Sequence, residues 1–186
     1  MNINKNYLKE SDRKNILSWI VDNEHLKDFS DNTTTNESTI RHAFSVTYTK
    51  DNIPELLKCF VESDANVYNF ISVVTSRAGD IPEHVDDDLT CYMMENNFPA
   101  MYVKMPNTTN VYYVDVCPVM EGGDLVCDDV IVKPETNMMV ELPGGTPHAV
   151  TQIVKCKRPR VVLVCERYRL LRTAADMLNT PMYRDG

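Results

Sequence analysis

The chain has no basic excess. Its 19 Lys and Arg stand against 27 Asp and Glu, for a formal net charge of −8. That argues against a general binder of nucleic acid or of anionic membrane, because both demand a basic surface. Basic residues crowd only locally, at Lys155, Lys157, Arg158 and Arg160. Paired cysteines are missing too. Six are present, and none is spaced C-x-x-C as in a zinc site or redox dithiol. Most lie in apolar runs, where a free thiol behaves as a small hydrophobe. No apolar run approaches the length of a membrane span, and Met1 to Glu10 is polar, without the apolar core of a secretory signal. These absences lead us to expect a soluble protein of a reducing, cytoplasmic compartment, with no nucleic-acid or membrane partner. The sequons at Asn32, Asn36 and Asn107 then carry no information. No internal repeat is visible.

What is present fits one domain over residues 1–186, with 43% hydrophobic residues and room for a sizeable core. Residues 11–22 are expected to be helical, with Ser11 as cap and Ile16, Leu17, Ile20 and Val21 as an apolar stripe. Residues 30–39 are almost purely polar and read as a loop, and 41–49 reads as a strand. Asn52 with Glu55 signals the start of a second helix over about 53–61. From Val67 the pattern changes to short runs rich in Val, Ile and Tyr, broken by Gly, Pro, Asn and Asp: 68–76, 100–104, 111–117, 124–132, 137–142, 149–154 and 160–166. That spacing predicts a mainly β sandwich or barrel with flanking helices. The expected plan is a support region over 1–66, a β core over 67–168, and a closing helix and tail over 169–186.

The chemistry concentrates at two places. His84 and Asp86 are two residues apart, so on a strand they share a face. His148 follows Asp86 by 62 residues, leading an apolar strand after the turn Pro143-Gly144-Gly145-Thr146-Pro147. Two imidazoles and a carboxylate can occupy one face of an octahedral ferrous ion and leave three positions open. A 2-keto acid can fill two, its far carboxylate held by an arginine, and oxygen the third. Arg158 and Arg160, close after His148, share strand parity with Val162 and Val164, and both are candidates for that arginine. A buried guanidinium requires an anion, and a carboxylate meets it with two parallel hydrogen bonds. Tyr112 and Tyr113 lie on a neighbouring strand, and alternation turns one of them inward; Tyr113 is a candidate second contact to the keto acid.

These elements in order, Gly79-Asp80-Ile81-Pro82-Glu83-His84-Val85-Asp86, Gly122-Gly123-Asp124-Leu125, Pro147-His148-Ala149-Val150 and Arg158, resemble the iron(II)- and 2-oxoglutarate-dependent oxygenases, most closely the prolyl 4-hydroxylase-like branch. The resemblance covers roughly residues 67–168 and implies a double-stranded β-helix core of jelly-roll or cupin-like kind. It implies Fe(2+) on His84, Asp86 and His148, with 2-oxoglutarate and O2 as co-substrates, and the family's offset from the second histidine makes Arg158 the first choice to hold the keto acid, with Arg160 the runner-up. It also implies a hydroxylase of a peptidyl or small amino-acid-like substrate, with succinate and CO2 released. The carboxylate of Asp86 favours hydroxylation over halogenation, in which family members leave that position to chloride. The family often carries a tyrosine nine or ten residues before the first histidine; Val74 and Thr75 stand there instead. Residues 89–110, with Tyr92, Met93, Met94, Phe98 and Tyr102, are longer than a minimal core requires and are expected either to shape the substrate side of the cavity or to pack as an extra hairpin. The competing expectation is a cupin-like barrel that binds a metal or small ligand without turnover; cupins gather more histidines, and only His25 and His42 remain here.

Overall fold

A computed structural model of the chain describes residues 1–22, 40–76, 80–178 and 180–184. The expected loop at 30–39, His25 and Gly79 lie outside the described residues. Two antiparallel sheets face each other. The larger is built from β1 (Asn2–Lys5), β2 (Ile40–Thr49), β3 (Val67–Thr75), β5 (Thr108–Asp115), β9 (Met138–Pro143), β12 (Arg160–Tyr168) and β13 (Met182–Arg184), in the order β1-β9-β5-β12-β3-β2-β13. The smaller joins β4 (Ile81–His84), β7 (Leu125–Cys127), β8 (Val130–Val132) and β10 (His148–Val150), in the order β4-β10-β7-β8. A short pair, β6 (Glu121–Gly122) with β11 (Ile153–Lys155), completes the described strands.

Alternation along β12, at the middle of the larger sheet, generates the two layers of core. Val161, Leu163 and Cys165 point outward into a cluster with Phe44, Phe60, Phe70 and Tyr112. That face is covered by helix α1 (Glu10–Val21), through Ile16 and Ile20, and by a 3-10 helix (Glu55–Phe60), through Leu57 and Phe60. Val162 and Val164 point inward and pack with Val73, Val111 and Tyr113 against Leu125, Cys127 and Val132 of the smaller sheet. Side chains on strands alternate faces at every residue, so the apolar run Val161–Cys165 serves both layers, and β12 is buried along its whole length.

A third cluster closes one end. Leu89 and Met93 of helix α2 (Asp88–Glu95) pack with Tyr168, Leu170, Ala174 and Leu178, and Phe98 and Tyr102 lie against the same group. Helix α3 (Arg172–Met177) contributes its alanines there.

The expected support region over 1–66 contributes strands to the main sheet, and the strand expected at 41–49 is β2. Residues before Val67 supply β1 and β2 to the main sheet, β1 pairing with β9 and β2 with β3. The run 100–104 forms turns rather than a strand. The run 124–132 is broken by a hairpin at Asp128, which takes a φ of 49°. The C-terminal helix begins at Arg172, three residues into the expected closing segment, and Arg167 and Tyr168 belong to β12. The turn before His148 does need glycine: a Cβ at Gly144 would fall 1.6 Å from the Pro106 carbonyl oxygen.

Leu163 is fully buried on the central strand. Leu163→Ala should lower the unfolding free energy by about 2–5 kcal/mol, measured by urea denaturation; a smaller loss would mean that the outer layer collapses around the vacated space.

Candidate metal centre

Strand pairing assembles the site. In the antiparallel register of β10 with β4, His148 stands opposite His84. Directly opposed residues share a face, and the two imidazole centroids lie 4.4 Å apart. Asp86 follows His84 by two residues. Its Oδ1 is 3.6 Å from His84 Nε2 and its Oδ2 is 3.4 Å from His148 Nε2. One ligand atom from each of the three residues falls within 4.8 Å of the others.

Proton bookkeeping shows what these atoms lack. His84 Nδ1 lies 2.9 Å from the Pro82 carbonyl oxygen, and His148 Nδ1 lies 3.0 Å from the Thr146 carbonyl oxygen. A carbonyl oxygen only accepts, so Nδ1 carries the proton in both rings. Each neutral ring then presents a bare lone pair at Nε2. The third group, a carboxylate, is also an acceptor, and its Oδ2 is buried without a hydrogen-bond partner among the described residues. Three acceptors therefore converge with no donor between them. Either additional protons or a cation must hold them together, and the residue types are those that bind ferrous ion facially. The shared use of a carbonyl two residues upstream fixes both ring orientations, as is usual for metal-bound histidines.

The three side chains open into a cavity of about 390 Å³. Its walls are mainly apolar, with Ile71, Val73, Val111, Val150, Val162 and Val164, and its polar members include Tyr113, Arg160 and Glu166. Arg160 is only 3% exposed. Its Nε donates to Thr75 Oγ1 at 3.2 Å and its Nη1 to the Gly123 carbonyl at 2.8 Å. No carboxylate among the described residues pairs with it, and burial pushes its pKa down. Tyr113 faces the cavity, and its hydroxyl is held protonated by burial.

No protein-family model and no curated protein sequence matches the chain. Solved structures do. The chain is similar to a prolyl 4-hydroxylase from Pseudomonas putida, at a TM-score of 0.56 and 14% identity, over 90% of this chain and 92% of that one. It is also similar to a collagen prolyl hydroxylase of Paramecium bursaria Chlorella virus 1, at 0.52 and 12%, over 90% of each. A Trichoplax adhaerens prolyl hydroxylase, in complex with a peptide fragment of hypoxia inducible factor, matches at 0.51 and 13%, over 96% and 87%. The fold is that of the prolyl 4-hydroxylase-like oxygenases.

Within this prolyl 4-hydroxylase-like fold, His84, Asp86 and His148 come together, and the two candidate arginines separate. Arg158 does not line the cavity. Strand β12 begins at Arg160, so strand parity does not reach Arg158, which turns outward to Asp115 Oδ1 at 2.9 Å and the Val116 carbonyl at 3.2 Å. Asp115 holds it alongside Arg13 of α1, whose Nη1 is 3.9 Å away. Tyr112 goes to the outer layer, where its hydroxyl donates to Asn137 Oδ1. Of helix α2, Asp88 and Cys91 reach the cavity while Leu89 and Met93 are packed away from it. Glu166 was missed by sequence reasoning, although it shares the parity of Arg160, Val162 and Val164 and is the one acid in that apolar run.

The acceptor geometry generates a test. Once His84 takes a second proton, the facing Asp86 carboxylate favours the charged ring and raises its pKa above the ordinary imidazole value. A metal must displace that proton. Ferrous affinity, followed anaerobically by equilibrium dialysis, should therefore fall as pH drops through and below the raised His84 value. His84→Ala, Asp86→Ala and His148→Ala should each remove stoichiometric binding while circular dichroism stays native. Full binding by any one variant would exclude that residue as a ligand.

Proposed function

We propose that this chain is an iron(II)- and 2-oxoglutarate-dependent dioxygenase that hydroxylates a peptidyl or small amino-acid-like substrate. The observation that carries the reading is the coexistence, in one cavity, of three converging acceptors and a buried arginine lacking an acidic partner. The acceptors call for a divalent cation, and the arginine calls for a carboxylate. A 2-keto diacid satisfies both at once.

In this reading His84, Asp86 and His148 hold the metal, and Arg160 binds the far carboxylate of 2-oxoglutarate. Its Nε and one Nη1 hydrogen bond are spent on Thr75 and Gly123, which locks the guanidinium plane and leaves its remaining N–H groups for the anion. Tyr113, protonated and facing the same space, donates a hydrogen bond to the co-substrate. The valines and isoleucines exclude water and strengthen each of these polar contacts. Bound there, ferrous iron and 2-oxoglutarate supply oxygen activation and C–H oxidation, with succinate and CO2 as co-products. Support for a peptide or amino-acid substrate comes from the Trichoplax adhaerens enzyme, which is in complex with a peptide fragment. Cys91 is an exposed member of the cavity lining, and such a substrate would enter on that side.

The test compares the two arginines. With ferrous iron and ascorbate, the protein should convert 2-oxoglutarate to succinate. Arg160→Ala should raise the 2-oxoglutarate concentration needed by about ten- to a hundredfold, the worth of a charge-assisted bidentate pair, and Arg158→Ala should leave it near the wild-type value. A larger effect at Arg158 would overturn the assignment. Stable iron binding without any succinate formation, coupled or uncoupled, would favour a binding protein over an enzyme.

A further inference from the structure

Glu166 is fully buried at the far end of the cavity-facing row of β12, six residues from Arg160 and so roughly 20 Å along the strand. Four donors converge on its carboxylate. The backbone N–H of Asp88 donates to Oε1 at 2.8 Å. To Oε2 come the backbone N–H of Leu89 at 3.4 Å, Asn69 Nδ2 at 2.8 Å and the Tyr168 hydroxyl at 2.9 Å.

Two of those donors decide the role. Asp88 and Leu89 are the first residues of α2, whose own N-cap, Asp87, makes no side-chain capping bond. The orphan N–H groups of a helix start require an acceptor, and a negative charge suits that end. Glu166 provides both from a different element. The turn it caps is the one that carries Asp86. Among the described residues no backbone N–H donates to the Asp86 carboxylate, so its orientation is set by where its backbone is held. Asn69 reinforces the anchor by donating to Asp88 Oδ2 at 2.9 Å, and Arg184 of β13 bonds the same oxygen and Asn69 Oδ1, each at 2.6 Å.

Burial pushes the Glu166 carboxyl up to about 7, against the pull of the Asn69 and Asp88 donors. An acid kept here at that cost, next in the row to Val162 and Val164, needs a reason beyond packing.

We infer that Glu166 is a positioning residue for the metal centre, fixing the turn from Asp86 to Asp88 by capping α2 from β12 and thereby aiming the Asp86 carboxylate at the two histidines. The inference rests on the metal-centre reading above. It requires that removing the cap loosen metal binding without dismantling the sheets.

Cobalt(II) titration, read by visible absorbance, tests this directly. Glu166→Gln keeps the shape but turns an amide N–H₂ toward groups that are themselves donors. It should weaken cobalt binding by about tenfold or more, as outer-sphere changes at metal sites do, and alter the cobalt spectrum, with native circular dichroism retained. Tyr168→Phe removes one of the four donors without touching the turn and should bind cobalt as the wild type does. Should Glu166→Gln fail to fold, Glu166→Asp, which keeps the charge and withdraws the carboxylate from the turn, is expected to weaken binding in the same sense. Wild-type affinity and spectrum in a folded Glu166 variant would overturn the inference while leaving the metal centre intact. Equal weakening by Tyr168→Phe would also overturn it, by showing a general loss of the core. Absence of cobalt binding by the wild type would instead strike the metal-centre reading itself.

Discussion

The pairing of β10 with β4 is the constraint on which the site depends. It sets His148 opposite His84, and each ring spends its Nδ1 proton on a carbonyl of its own strand entrance. The bare nitrogens can then only face inward, toward a carboxylate that also lacks a donor. A one-residue slip in this register would turn one histidine to the opposite face and dissolve the arrangement. The two glycine-dependent features nearby protect that register. Gly144 lets the preceding turn pass against Pro106, and Gly122, at a φ of 80°, lets β6 approach Gln152 where an added Cβ would fall 1.9 Å from its carbonyl oxygen.

Tyr113, Arg160 and Glu166 are held by the larger sheet, and the candidate ligands His84, Asp86 and His148 by the smaller one and its adjoining turn. Strand β12 carries Arg160 at one end and Glu166 at the other, with Val162 and Val164 between. A cation and an anion on the same inward row are kept apart by valines, so neither neutralises the other. Arg160 stays available to an anion. Glu166 is committed to backbone N–H groups and so ties the larger sheet to the turn that bears Asp86. The other two buried charges among the described residues are ion-paired: Arg13 with Glu10 and with Asp115, which Arg158 shares, and Arg167 with Glu141.

Much of this was legible in the sequence. The H-x-D spacing marked His84 and Asp86 as a pair, although β4 ends at His84 and Asp86 stands in the turn beyond it, and the glycine-rich turn before an apolar strand marked His148. The mainly β core with flanking helices and the double-stranded β-helix agree with the observed fold. The choice between Arg158 and Arg160 was not legible, because parity alone cannot locate where a strand begins, and Pro159 precedes its first residue. Glu166 escaped because an acid in a valine run reads as an exception until its donors, from Asn69, Asp88, Leu89 and Tyr168, are seen together. Strands β1 and β13 escaped because three or four residues carry no periodic signal, and they form by pairing with distant partners.

The most direct measurement is an anaerobic titration of the apoprotein with ferrous iron and then with 2-oxoglutarate, followed in the visible region. Chelation of the keto acid to iron held by two histidines and one carboxylate gives a weak charge-transfer band. The account predicts that the band appears only when both are present and saturates at one equivalent of each. Iron binding with no band on addition of 2-oxoglutarate would contradict it.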